Sequence, residues 1–334
     1  MLENYSDEVQ FAAGAGSGYG VYKGAKKLVK KPFSKFFLSQ LCNTTKEQND
    51  VFWSAANKAY ENSDLKETLY KEIKPKQKKL KTFFGEVKLP KIVNRKKAEI
   101  INVNPKNISD ITKDVMNKLG FDRNPVFDNK LFKLIFGDKK AEVTKHLKKI
   151  AIGKNACFIT RTGQVLVNKD KMAFSTFHEL GHAMNATGKG LGKFLAKSRA
   201  TALFAPLILA TGLLKNKPQK STEQNQTKKN FFDFVKENCG ILTTLCCVPT
   251  ILEEGLASIK GAKLAKPYLD KDMVKKLNIM NAKAWSSYVC GAILAGLFVK
   301  AGVMVRDKIV HDDTFRIIEK GNTQNSTSPS EAHV

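Results

Sequence analysis

The sequence predicts a mostly helical α+β fold with an inserted hairpin of apolar helices. Three observations lead there. Residues 101–199 combine helix-period apolar patterns with two short apolar runs around a turn. Further along, Ala200–Leu214, Asn238–Leu252 and Ala284–Val299 are free of charge. At 42% hydrophobic over 334 residues, the chain can bury a core, which excludes wholesale disorder.

Residues 1–100 read as a basic N-terminal region, partly disordered or helical. They open on MLENYSDEVQ, an acidic and polar stretch unlike a cleaved signal peptide. The glycines of residues 9–22 follow no strand, so a dinucleotide-binding loop is not expected. Gly16, Gly20 and Gly24, at four-residue spacing, suit a closely packed helix or a flexible segment. Residues 21–100 hold 20 Lys and Arg against 8 Asp and Glu, densest in KEIKPKQKKLK at 71–81. Such a run attracts nucleic acid or anionic lipid. It lacks interleaved aromatic residues, so a solvated face or surface-tethering arm fits better, and no specific nucleic-acid partner is expected. The whole chain carries 57 Lys and Arg against 31 Asp and Glu, a net charge of +26. Only Arg95, Arg123, Arg161, Arg199, Arg306 and Arg316 are Arg, the residue suited to bidentate reading of bases and phosphates.

Residues 101–199 form the globular α/β part. SDITKDVMNKLGF predicts a helix capped by Ser109 or Asp110 and stopped at Gly120. AEVTKHLKKIAIG predicts a second short helix, and ACFIT and QVLVN around RTG predict a hairpin or paired strands. Residues 200–252 then predict an apolar membrane hairpin, 253–320 a ligand-bearing helix and C-terminal helices, and 321–334 a disordered tail. The charge-free runs fall between the ~20 residues of a spanning helix and the 10–14 of a buried one. Flanking Lys and Arg can snorkel and lengthen them. The six cysteines include no Cys-x-x-Cys pair, and three lie in apolar runs, so free thiols in a reducing compartment are expected.

The chemistry concentrates in STFHELGHAMN at 175–185. His178 and His182 are four apart, so on a helix both imidazoles face one metal ion. Glu179, one position on from the first, can reach a metal-bound water and take its proton. Phe177, Leu180, Ala183 and Met184 give this helix the apolar setting of a buried site. A catalytic zinc needs a third protein ligand. His146, His311 and His333 stand in no convincing context, whereas PTILEEGLASIKGAKLA at 249–265 offers Glu253 or Glu254. Neighbouring helix positions point about 100° apart, so both do not ligate. Glu254 is the better choice, because Ala257 and Ser258 share its face and Ser258 can hydrogen-bond an imidazole. Glu253 is expected to matter little for metal affinity.

HELGHA, the apolar hairpin, Glu-x-x-Ala-Ser and AKAWSSYVCGAILAGLF together resemble the YugP-type membrane zinc metallopeptidases. HtpX-type membrane proteases are a more distant likeness, with Asn185 matching an Asn of theirs and Ser258 standing where they have Asp. The resemblance covers about residues 155–305 and is densest at the zinc motif. It implies a zincin-like core of the gluzincin kind, with His178, His182 and Glu254 on Zn2+ and Glu179 as general base. It further implies a multi-pass protein of a bacterial inner membrane, with membrane lipids around it, a cytoplasmic zinc site, and peptide or protein substrates. Lys and Arg flank both sides of the hairpin, so the positive-inside rule selects no orientation. Tyr268, Tyr288 and His311 are candidate oxyanion stabilisers. Two alternatives stand beside this reading: a non-catalytic membrane protein holding a structural zinc, and a nucleic-acid or lipid-surface binder acting through 21–100.

Overall fold

Helices dominate the chain, and a three-stranded sheet supports the one that carries HELGH. The computed structural model describes residues 12–25, 27, 44–66, 79–82, 85–88, 98–120, 138–215 and 231–310. In chain order come α1 (12–25), α2 (Lys46–Glu61), the strands β1 (Lys79–Thr82), β2 (Gly85–Lys88) and β3 (Glu99–Asn102), and α3 (Ile108–Leu119). Then follow α4 (Lys139–Ala151), β4 (Cys157–Ile159), β5 (Gln164–Val167), α5 (Lys169–Met172), α6 (Ser175–Thr187) and α7 (Leu191–Ser198). A 3-10 turn (Arg199–Phe204) leads to α8 (Ala205–Leu214), α9 (Phe231–Glu237), α10 (Cys239–Ala265) and α11 (Lys271–Ile309). These elements divide into two compact units, one from 35–199 and 249–288, the other from 1–34, 200–248 and 289–334.

In the first unit, α2 begins with a capping box. The Gln48 N–H donates to the Thr45 side chain, and the Thr45 N–H donates to the Gln48 side chain. The helix buries Phe52, Ala55, Ala56 and Ala59 in the same core as Phe174, Phe177 and Leu180 of the HELGH segment. Asn49 ties the two together: its Nδ2 donates to the Asp170 carbonyl and its Oδ1 accepts from the Ala173 N–H. So part of the region that charge alone sets apart is core.

The sheet has the order β3-β5-β4, with β3 parallel and β4 antiparallel to β5. Every residue of the central β5 is buried: Val165, Leu166 and Val167 are apolar, and the Gln164 amide donates to Asp114. The expected hairpin is β4–β5, pairing Cys157 with Leu166, and Gly163 turns it at a φ of 69°. Helix α3 stops at Gly120, whose left-handed φ of 77° closes its last turn. Its N-cap is Asn107, not Ser109 or Asp110. The Asn107 side chain is spent on the preceding turn, donating to the Asn102 carbonyl and accepting from the Asn104 N–H.

In the second unit, α1 packs through Gly14 and Gly18, where a methyl group would overlap Val310 and the Gly302 carbonyl. Gly16, Gly20 and Gly24 face open space, so the close-packing face is the other one. Gly240 meets Gly296 in the same way, and the Thr244 hydroxyl donates to the Ala292 carbonyl. Lys236 donates to Asp307, which also accepts from Arg306. Leu203 is 74% exposed, and Leu207, Ile241, Leu245 and Leu297 also present apolar side chains outward.

Three helical stretches are long and apolar enough to cross a membrane: Leu191–Leu214 (24 residues), Cys239–Ala265 (27 residues) and Lys271–Ile309 (39 residues). Each extends its charge-free run beyond the ~20 residues that spanning requires. The five described cysteines are free thiols. The 321–334 tail, His311, His333 and residues 71–78 of the densest basic run lie outside the described residues.

Candidate metal centre

Helix α6 is placed from its N-terminal side. Asn168 donates to the Val103 and Ala151 carbonyls, and its Oδ1 caps α5 by accepting from the Asp170 N–H. Helix α6 then enters the core on Phe177, Leu180 and Ala183, all fully buried. Helix α10 crosses it at backbone contact. A side chain at Gly181 would collide with the Ala257 carbonyl, and one at Gly261 with the Phe177 carbonyl. Glycine at both positions lets the helices approach that closely.

That crossing brings His178, His182 and Glu254 together. The two imidazole Nε2 atoms are 3.0 Å apart. Glu254 Oε2 lies 3.1 Å from His178 Nε2 and 3.4 Å from His182 Nε2. Donors bound at 2.0–2.1 Å to a tetrahedral zinc sit about 3.3 Å from one another, so this triangle has the size of a metal site's base. The rear nitrogens are also held. His178 Nδ1 lies 3.0 Å from Ser258 Oγ, and His182 Nδ1 lies 2.9 Å from Glu253 Oε1. With Nε2 turned to a cation, each Nδ1 keeps its proton and donates it to these oxygens, which fixes tautomer and ring orientation.

Glu253 therefore has a different place from the one its register suggests. It is 1% exposed, as is Glu254. Its Oε1 also accepts from Asn185 Nδ2 at 2.9 Å, and its Oε2 from Arg199 at 2.9 Å. Arg199 bridges to Glu254 Oε1 at 2.8 Å. The 100° offset holds along the helix, but His182 lies one turn beyond His178 and presents Nδ1 to the neighbouring position. Burial works against protonation of His182, yet its hydrogen bonds with Glu253 and Glu254 hold its pKa up to about 10. A cation bound at Nε2 displaces that proton, so cation binding releases acid.

Glu179 is 6% exposed beside the histidines. Burial pushes its pKa up, and the charge of His182 and His178 pulls it only partly back. A carboxylate so placed is a stronger base than one in water. Burial, reinforced by the Glu179 charge, pushes the Cys157 thiol up as well, leaving it a poor nucleophile.

Tyr288 stands near Glu254 and is 41% exposed. Tyr268 packs against the core, and His146 sits beside Asn155 on its own helix. Sequence reasoning missed Arg199 and the part played by Glu253. One signal for Arg199 was present: a rare Arg, in a chain whose other basic residues are mostly Lys, stands immediately before a charge-free run. Comparison of the chain with protein-family models, curated proteins and solved structures finds no match.

Proposed function

We propose that the chain is a membrane-bound zinc endopeptidase with a gluzincin-type site. The observation that carries this reading is the convergence of His178 Nε2, His182 Nε2 and Glu254 Oε2 within 3.4 Å, with buried Glu179 alongside. Two imidazoles and one carboxylate form the donor set of a catalytic zinc that keeps a position for water. Bound there, zinc would lower the pKa of that water to about 7 and polarise a scissile carbonyl.

The protein's own groups do the rest. His178 and His182 hold their rings through Ser258 and Glu253. Glu179 accepts the proton of the attacking water and delivers it to the departing amine, work for which its raised pKa suits it. Tyr288, near Glu254, would donate to the developing oxyanion. Strand β4 is one edge of its sheet among the described residues, and α6 packs against it. An extended peptide laid along that edge approaches the site with its backbone hydrogen-bonded.

Three apolar helices support a multi-pass placement in a membrane; a peptide or protein substrate and a cytoplasmic site follow from the resemblance alone. The test is hydrolysis. Detergent-purified protein loaded with zinc should cleave an unfolded protein such as casein, lose the activity to a chelator and regain it with zinc. Absence of chelator-sensitive cleavage by protein holding one zinc per chain would reject the enzyme reading.

A further inference from the structure

We infer that Arg199 is a positioning residue that decides which carboxylate oxygen faces the metal. The inference rests on the metal-centre reading above. Glu253 and Glu254 are adjacent, both 1% exposed, and two buried carboxylates need a countercharge. Among the described residues, Arg199 is the one Lys or Arg paired with either. Its Nη1 takes Glu253 Oε2 at 2.9 Å and its Nη2 takes Glu254 Oε1 at 2.8 Å.

The consequence follows from counting acceptor oxygens. Glu253 Oε1 is filled by His182 and Asn185 and its Oε2 is turned to Arg199, so the group that gathers around one point is His178, His182 and Glu254, without Glu253. Glu254 has Oε1 taken by Arg199 and only Oε2 turned to the imidazoles. The guanidinium thus turns Glu253 away from the imidazole pair and favours a single Glu254 oxygen toward it. A planar fork imposes both orientations at once, which a Lys ammonium, a point charge on a flexible stem, does not. The charges also close: ionised Glu179, Glu253 and Glu254, one guanidinium and one divalent cation form a neutral set. Arg199 itself is 42% exposed, touching the site from its open side without entering the donor triangle.

The probe is cobalt(II), added alone to metal-stripped, full-length protein in detergent. Four-coordinate cobalt absorbs visible light more strongly than five- or six-coordinate cobalt, so the spectrum reports whether Glu254 gives one oxygen or two. Arg199→Gln should weaken the visible bands and raise the cobalt dissociation constant on the order of 10–100-fold. Arg199→Lys keeps the charge, and so the fold, and should recover part of the affinity but not the wild-type spectrum. Its spectrum decides the matter should the Gln variant fail to fold. Wild-type bands and affinity in folded Arg199→Gln or Arg199→Lys would overturn the role of Arg199 and leave the metal centre standing. A wild-type protein that takes up no cobalt would overturn both.

Discussion

Replacing Glu253 with Gln leaves all three donor atoms in place, yet should weaken zinc binding by roughly 10–100-fold. The reason is the number of acceptors that Glu253 supplies. Its Oε1 receives His182 Nδ1 and Asn185 Nδ2, both at 2.9 Å, and its Oε2 receives Arg199 at 2.9 Å. Glutamine has one acceptor oxygen. If it stays with His182, the amide NH2 points at Arg199; if it turns, NH2 points at His182 and Asn185. Either way a donor meets a donor in a buried space. A hydrogen bond to a charged group contributes about 1.5–3 kcal/mol, and each 1.4 kcal/mol is tenfold, which gives the one to two decades stated. Glu254→Gln removes a donor outright and should cost several decades more. The assay is zinc competition between metal-stripped protein and a chromophoric chelator of known affinity. A Glu253→Gln constant within about twofold of wild type would refute the orienting role, since the smallest loss that role allows is about tenfold. A larger loss in Glu253→Gln than in Glu254→Gln would refute the choice of ligand.

Other outcomes follow from the same geometry. Glu179→Gln should retain one zinc per chain and lose hydrolysis, checked by metal analysis beside a cleavage assay. The same variant, stripped of metal, should melt higher than wild type at pH 7. Folding raises the Glu179 pKa, so ionised Glu179 costs stability as pH rises above its unfolded value, and the difference should vanish toward pH 4, where both states are protonated. Gly181→Ala alters no donor but drives a methyl into the Ala257 carbonyl, and should abolish stoichiometric zinc on metal analysis. Phe52→Ala should destabilise the HELGH-bearing unit by about 3–5 kcal/mol, read by urea denaturation, because its ring is fully buried. Carbonate extraction should leave the chain in the membrane fraction; full release would mean the three apolar helices do not span.

What was legible in the sequence was local. The His178–His182 spacing, the Gly120 stop and the β4–β5 hairpin each depend on residues within one turn or one loop. Ser258 was legible because it lies one turn from Glu254. The clamp of Arg199 on Glu253 and Glu254 crosses 54 and 55 residues of chain, a distance at which spacing carries no information. Phe52 was hidden by the charges around it, since a helix can bury a narrow apolar stripe while its solvent face carries charges of both signs. In α1, glycines alternate so densely that spacing alone does not say whether Gly14 and Gly18 or Gly16 and Gly20 face the partner helix.

The partners of the two histidines lie 71 to 80 residues downstream, at Glu253, Glu254 and Ser258. At 5–20 residues per second of synthesis, that separation is roughly 4–15 s on the ribosome. For that interval the nascent chain holds HELGH without its third donor or its ring supports. Residues 200–214 and 239–252 are the apolar stretches made in between. On the proposed reading, the chain order works as a time lock: no hydrolytic centre exists until the first two apolar stretches, which on that reading enter the bilayer, have been synthesised.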